Sequence, residues 1–114
     1  MEELVVWPPV TEELLQEVVR CIRSVGAPEQ IILFGSRARG DARPDSDLDI
    51  LIIEESDLPR YERSPRYYGA LANVFPSIDI LVYTPDEVNE WRAVPNALTT
   101  VALREGRVLH ARSG

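Results

Sequence analysis

Three aspartates are the residues of this chain whose type and spacing point most directly to chemistry. Asp47 and Asp49 flank a single leucine at the start of an apolar run that continues to Ile53. Because alternate residues of an extended strand face the same way, both carboxylates are expected to project together. Two like charges side by side repel each other, and a bound divalent cation removes that penalty. Hard oxygen ligands favour Mg²⁺, with Mn²⁺ as the alternative, over zinc.

Asp79 supplies a third carboxylate, as the only charged residue within the run Ile78–Val82. An isolated buried charge is prohibitively costly, so this side chain must face a positive group. A salt bridge to an arginine would satisfy it. Three aspartates converging from adjacent strands suit a two-metal centre better. In such a centre Asp47 and Asp49 hold one ion with an incoming triphosphate, and a second ion activates a hydroxyl beside Asp79.

Gly35 and Ser36 form a candidate phosphate-binding turn between the apolar run Ile31–Phe34 and a predicted short helix. A glycine at this point lets the backbone approach a phosphate without a Cβ in the way. The amides of the helix N-terminus and the Ser36 hydroxyl then face the anion. Taken alone, a Gly-Ser pair before a helix is more often a turn with a capping serine.

The arginines after this turn are further candidates for phosphate binding, because the guanidinium group matches phosphate geometry. Arg39 is preferred to Arg37, since Gly40 follows it and keeps its surroundings open. Aromatic residues could also stack on a base, but core packing is the commoner role of aromatics at helical spacing. None of the following is therefore assigned to the site: Trp7, Tyr67, Tyr68 and Trp91.

The elements that must position these residues alternate along the chain and predict an α/β (α+β) fold, with helices packed on one small mixed β-sheet. Residues 1–10 are expected to be an extended lead-in, since Pro8 and Pro9 oppose a helix. The predicted helices are Thr11–Val25, Arg37–Ala42, Arg60–Asn73, Pro85–Trp91 and Asn96–Glu105. The predicted strands are Ile31–Phe34, Asp47–Ile53, Ser77–Tyr83 and, at an edge, Arg107–Ala111.

Composition restricts the classes of function. The 114 residues are expected to form one domain, 1–114. A net charge of −7 argues against nucleic acid as a direct partner. All 12 basic side chains are arginine, which excludes a Walker-A P-loop and Schiff-base chemistry. Cys21 is expected to fill the core and His110 to lie on the surface. With no long apolar run, a cytoplasmic protein without membrane contact is expected.

The combined motif resembles the polymerase-beta-type nucleotidyltransferase superfamily. It consists of Gly35-Ser36, ten intervening residues, Asp47-x-Asp49 and Asp79 in a later apolar strand. The short length and the run Gly-Ser-Arg-Ala-Arg-Gly resemble its minimal nucleotidyltransferase branch in particular. The likeness spans about residues 31–82, and no motif position departs from the pattern.

The resemblance implies a nucleotidyltransferase fold and a role for each motif residue. Gly35 and Ser36 would hold the β- and γ-phosphates. Asp47 and Asp49 would ligate Mg²⁺, and Asp79 would help deprotonate an acceptor hydroxyl. The implied reaction is in-line attack of that hydroxyl on the α-phosphorus of a nucleoside triphosphate, with pyrophosphate as the leaving group.

The acceptor is the least determined part of this hypothesis. About 30 residues follow the third carboxylate strand, too few for an acceptor-binding domain, so another chain or a homodimer would have to supply the pocket. Minimal nucleotidyltransferases of this type are often encoded beside a HEPN-domain ribonuclease toxin. The resemblance therefore implies an antitoxin that transfers AMP from ATP to a tyrosine of that toxin.

Two alternatives remain open at this point. The first is a binding module that neutralises its partner by contact, against which the intact set of three aspartates argues. The second is a nucleotidyltransferase acting on a small hydroxylated molecule such as an aminoglycoside, against which the missing acceptor domain argues.

Overall fold

The computed structural model describes residues 8–112, in which five α-helices pack on a four-stranded mixed sheet and confirm the predicted α/β fold. Residues 1–7 of the predicted lead-in, including Trp7, lie outside the described residues. The helices are α1 (Glu12–Val25), α2 (Ser36–Arg39), α3 (Pro65–Leu71), α4 (Pro85–Trp91) and α5 (Leu98–Glu105), with a 3₁₀ turn at Arg60–Glu62. The strands are β1 (Gln30–Phe34), β2 (Leu48–Ile53), β3 (Ile78–Tyr83) and β4 (Arg107–Ala111).

The strand order β3-β2-β1-β4 places β4 at one edge, as predicted, and β3 at the other. β1 runs antiparallel to β2 and β4, whereas β2 and β3 are parallel. Consequently the end of β1 and the beginnings of β2 and β3 meet at the same end of the sheet. That end carries the Gly-Ser turn and the aspartates.

Side chains alternate between the two faces of the sheet, and each face is covered by a different helix pair. α1 and α3 cover the face that contains Ile50 and Ile52, and α4 and α5 cover the face that contains Leu51 and Ile53. All four of these β2 residues are buried. Asp49 belongs by alternation to the second face. On this face, the residues buried by α4 and α5 begin at Leu51, after Asp49. The part of the face around Asp49 is therefore accessible.

Helix α1 begins as the sequence predicts. Thr11 is its N-cap, with a side-chain oxygen that accepts from the amide of Leu14 at 3.1 Å, and the helix ends before Gly26. No helix of residues 8–112 combines the length and apolarity that crossing a bilayer requires; the longest, α1, has 14 residues.

Several predicted boundaries are wrong for identifiable reasons. Helix α2 covers Ser36–Arg39 rather than Arg37–Ala42, because Gly40 adopts a left-handed conformation (φ 86°) and ends it before Pro44 is reached. Its N-cap is Gly35, so Ser36 is the first residue of the helix rather than its cap. The predicted helix Arg60–Asn73 divides into the 3₁₀ turn and α3, since Pro65 has no amide hydrogen to bond back to the preceding turn and fits the first position of a new helix.

The remaining differences are small. β2 begins at Leu48, so Asp47 precedes the strand; β3 begins at Ile78, and α5 at Leu98 rather than Asn96. Cys21 is half-buried against the core, as expected, and burial raises the pKa of its thiol. His110 is half-buried rather than an ordinary surface residue, because it lies opposite Ile31 in the sheet, and burial lowers its pKa.

Candidate active site

The strand register brings two of the predicted aspartates side by side. Asp49 is the direct partner of Asp79 in the parallel pairing of β2 with β3. Such partners point to the same face of a sheet from strands about 5 Å apart. Asp47 lies two residues before Asp49 and is exposed, as is Asp79, whereas Asp49 is half-buried. The sheet therefore presents three carboxylates at one end.

The three carboxylates influence one another electrostatically. Burial raises the pKa of Asp49, and the charges of Asp79 and Asp47 raise it further, while the Arg39 guanidinium acts in the opposite direction. A carboxylate whose charged form is disfavoured by its like-charged neighbours is a place where a cation is stabilising. The site thus has an excess of negative charge centred on Asp49.

The Gly-Ser turn contacts this centre directly. Gly35 has φ 76° and ψ −158°, a conformation that is essentially restricted to glycine. A Cβ at this position would collide with Oδ2 of Asp49. The contact arises because Phe34 pairs with Asp49, so the residue after β1 lies beside the first residues of β2. The first intrahelical bond of α2 is made by Ala38, so the amides of Ser36 and Arg37 precede it, next to the carboxylates.

Two hydroxyl groups hold the exposed aspartates, and the sequence did not reveal either of them. The Ser77 hydroxyl donates to Oδ1 of Asp47. The Tyr68 hydroxyl contacts Oδ1 of Asp79 at 3.2 Å. Ser77 precedes Asp79 by two residues, and this spacing is typical of side chains on the same face of a strand. Its contact with Asp47 could be predicted only with the register of β2 on β3.

Of the three aromatic residues expected to pack in the core that lie within residues 8–112, only Tyr67 is fully buried. Its neighbour Tyr68 is 41% exposed and contacts Asp79 instead. Trp91 is 45% exposed and lines a cavity with Tyr83, at the end of β3 remote from Asp79.

The two candidate arginines have different surroundings. Arg37 donates to the backbone carbonyl of Ser46 at 2.9 Å, and its guanidinium lies 5.5 Å from the ring centre of Phe75. It fastens the loop that leads into Asp47. Arg39 is exposed, and its one polar side-chain contact within residues 8–112 is a long one of 3.4 Å to Asp41, so its guanidinium can turn towards a phosphate.

The donor set fits a hard divalent cation in its chemistry, although no centre is preformed. In the described range 8–112, no three histidine, cysteine, aspartate or glutamate side chains are gathered as closely as ligands of one ion. All candidate donors are carboxylate oxygens, which Mg²⁺ prefers. Because Asp47 and Asp79 are exposed, their side chains can turn towards an ion at Asp49 at the cost of one hydroxyl contact each.

A cavity of about 240 Å³ lies beside the two hydroxyl groups, between α3 and the beginning of β3. Its walls combine apolar side chains with the polar groups of Tyr68 and Ser77. The lining residues are Tyr68, Leu71, Ala72, Phe75, Pro76, Ser77 and Ile78.

Comparison with known proteins identifies the family. Residues 12–74, more than half of the chain, match the family model described as "Nucleotidyltransferase domain". A Methanocaldococcus jannaschii protein named "Putative protein adenylyltransferase" is 46% identical over 48 residues, which cover 40% of this chain and 48% of the relative. The match thus spans about half the length of that curated relative.

Two solved structures share the fold. One, described as a "putative nucleotidyltransferase" from Sulfolobus solfataricus, superposes with a TM-score of 0.64 at 23% identity, over 89% of this chain and 80% of that one. The other, described as "the toxin-antitoxin with AMP-PNP", gives a TM-score of 0.57 at 21% identity, over 87% and 74%. At these identities the likeness establishes the fold.

Proposed function

The chain belongs to the nucleotidyltransferase domain family, and we propose that it transfers AMP from ATP to a hydroxyl group of a partner protein. The observation that carries the proposal is the in-register pair Asp49–Asp79, with Asp47 beside it and the Gly35–Ser36 turn against it. This arrangement combines donors for phosphate oxygens, carboxylates for a divalent cation and a third carboxylate within reach of an acceptor.

On the donor side, the Ser36 hydroxyl and the first amides of α2 bind the β- and γ-phosphates, and Arg39 is an exposed cation of the same helix. Asp47 and Asp49 are the residues that would hold Mg²⁺. When bound, the cation neutralises phosphate charge and lowers the pKa of a coordinated hydroxyl.

On the acceptor side, Asp79 is exposed and receives the proton of the attacking hydroxyl. The acceptor oxygen forms a bond to the α-phosphorus, the bond from that phosphorus to the pyrophosphate oxygen breaks, and pyrophosphate leaves. The cavity next to Tyr68 and Ser77 gives an acceptor side chain an approach to Asp79 from the open edge of β3.

Four observations favour a protein as the acceptor, and the first of them favours a HEPN-domain toxin and its tyrosine in particular. The motif resembles the minimal nucleotidyltransferases that are paired with such toxins. One relative is named as a protein adenylyltransferase, and one neighbour in fold is described as a toxin–antitoxin complex with AMP-PNP. The net charge of −7 also complements the basic surface expected of a ribonuclease.

The test is incubation of the purified protein with α-labelled ATP, Mg²⁺ and the product of the adjacent gene. The wild type is compared with the Asp47→Asn/Asp49→Asn double variant and with a matched Asp41→Asn/Asp45→Asn control, which changes two exposed acids of the same loop. We expect label on the partner with the wild type and the control, and none with the double variant. A stable complex with every version and no transfer by any would instead identify a binding module.

A further inference from the structure

Tyr68 occupies a position that the proposed reaction does not yet explain. It lies in α3 directly after the fully buried Tyr67, yet its own ring is 41% exposed at the open edge of β3. Its hydroxyl oxygen lies 3.2 Å from Oδ1 of Asp79 and 2.9 Å from the backbone nitrogen of Ile80. One tyrosine thus contacts both the third carboxylate and the strand that carries it.

The backbone contact anchors the tyrosine to a rigid element. Backbone amides of the chain at β2 donate to the carbonyl groups of Ser77 and Tyr83. The backbone amide and carbonyl groups of the odd-numbered residues of β3 therefore point towards β2, and those of the even-numbered residues point away from it. The amide of Ile80 therefore points to the open edge, where it donates a hydrogen bond to the Tyr68 hydroxyl oxygen. The tyrosine is held relative to the strand rather than to a loop.

That contact also fixes the direction of the second hydrogen bond. A tyrosine hydroxyl has one proton to donate. Because the Ile80 amide donates to the oxygen, the hydroxyl proton is free for Oδ1 of Asp79, which accepts it. An ionised carboxylate of Asp79 can accept this hydrogen bond, which occupies one of its two oxygens.

We propose that Tyr68 is a positioning residue for Asp79 in nucleotidyl transfer. It holds Oδ1 at the edge of β3, so that Oδ2 is the oxygen that takes the proton of the acceptor hydroxyl. The inference rests on the proposed function, because Asp79 needs a fixed orientation only if a proton is transferred to it.

Tyr68→Phe is the informative variant, since it removes the hydroxyl and keeps the ring. Tyr61→Phe is the matched control, because Tyr61 is 77% exposed. With α-labelled ATP and the partner protein, we expect Tyr68→Phe to lower kcat about 10- to 100-fold, the usual effect of losing a group that orients a site residue. The KM for ATP should stay within about twofold, because the phosphate side of the site is untouched.

A double-variant cycle distinguishes positioning from a general structural effect. In an Asp79→Asn background, Tyr68→Phe should cost less than about twofold further, because the two residues act as a unit. Independently of activity, the amide proton of Ile80 should exchange about 3- to 10-fold faster in Tyr68→Phe, since the variant removes its acceptor.

The outcomes separate this inference from the proposed function. Full kcat in Tyr68→Phe beside an active wild type would overturn the positioning role alone, as would an equal loss in both backgrounds. Unchanged exchange at Ile80 would overturn the contact itself. A wild type that labels nothing would overturn the proposed function and the positioning role with it.

Discussion

Asp49 and Asp79 lie opposite each other on neighbouring parallel strands, one half-buried and the other exposed. The sheet thereby gives two chemically identical side chains different surroundings. Asp49 contacts the backbone of Gly35 and carries the raised pKa of a carboxylate among like charges. Asp79 contacts a tyrosine at the edge where an acceptor can approach. This difference is the basis of the proposed roles, with Asp49 as a metal-holding carboxylate and Asp79 as the proton acceptor.

Gly35→Ala should damage both stability and activity. The backbone at Gly35 is in a region essentially restricted to glycine, and the added Cβ would displace the Asp49 carboxylate. We expect the free energy of unfolding in urea to fall by about 2 kcal/mol or more, with loss of transfer. Gly40→Ala is the control: its φ of 86° is also left-handed, but a Cβ there meets nothing within 4 Å. It should cost about 1–2 kcal/mol and leave transfer intact. Equal effects of the two would contradict the contact with Asp49.

Arg39→Gln should weaken ATP binding. Arg39 is exposed, and its charge opposes the raised pKa of Asp49, which lies against the proposed phosphate-binding turn. Loss of a charge-assisted hydrogen bond should raise the KM for ATP about 10-fold. Arg43→Gln, an exposed arginine of the following loop, should leave the KM unchanged. Steady-state kinetics with α-labelled ATP measures both, and equal KM values for Arg39→Gln and the wild type would remove Arg39 from the site.

Tyr67→Phe should destabilise the fold without a direct effect on the site. The Tyr67 hydroxyl donates to the carboxylate of Glu54 at 2.8 Å, and Glu54 is only 4% exposed. The same carboxylate accepts from the amide of Ala27 at 2.7 Å. Loss of one donor to a buried charge should lower the free energy of unfolding by about 1–3 kcal/mol. Tyr61→Phe should change the free energy of unfolding by less than about 0.5 kcal/mol. An equally small change in Tyr67→Phe would refute the stabilising role of the Tyr67 hydroxyl.

The ion pair of Glu87 with Arg63 should make stability depend on acidic pH. The hydrogen bonds from Arg63 hold the pKa of Glu87 below its usual 4.5. A carboxyl whose pKa is lower in the folded state contributes stability above its unfolded pKa and loses it as the pH falls through the folded value. Glu87→Gln keeps an acceptor for the cap of α4 but removes the charge.

The measurement is the free energy of unfolding of wild type and Glu87→Gln at about pH 6 and about pH 3. The difference in the free energy of unfolding between the wild type and Glu87→Gln should be smaller at the lower pH. Glu12→Gln is the control, since Arg107 also lowers the pKa of Glu12 but that ion pair is exposed and screened by solvent. A difference for Glu87→Gln that does not change with pH would contradict the assignment.

Much of this architecture could be predicted from local patterns. Short apolar runs predicted the strands to within one residue at each end, and the motif predicted a family that the match over residues 12–74 confirms. The convergence of Asp47, Asp49 and Asp79 followed from their positions at the beginning of two strands. Their roles in catalysis stay predictions.

The parts that escaped prediction depend on register and on non-local contacts. Tyr67 and Tyr68 are adjacent, but about 100° of helical rotation places one in the core and the other against Asp79. Ser77 meets Asp47 only because β3 pairs with β2 in one particular register. Nothing in the residue types of Tyr68 or Ser77 distinguishes them from ordinary core or surface positions.

The most direct test of the account is the rate of AMP transfer by Asp79→Asn, with ATP affinity measured on the same preparation. The third carboxylate is assigned to the acceptor proton, so the rate should fall at least about 100-fold while ATP affinity changes little. Asp45→Asn, an exposed acid of the preceding loop, should transfer at the wild-type rate. A wild-type rate in Asp79→Asn would contradict the assignment of the Asp49–Asp79 pair as the centre of the reaction.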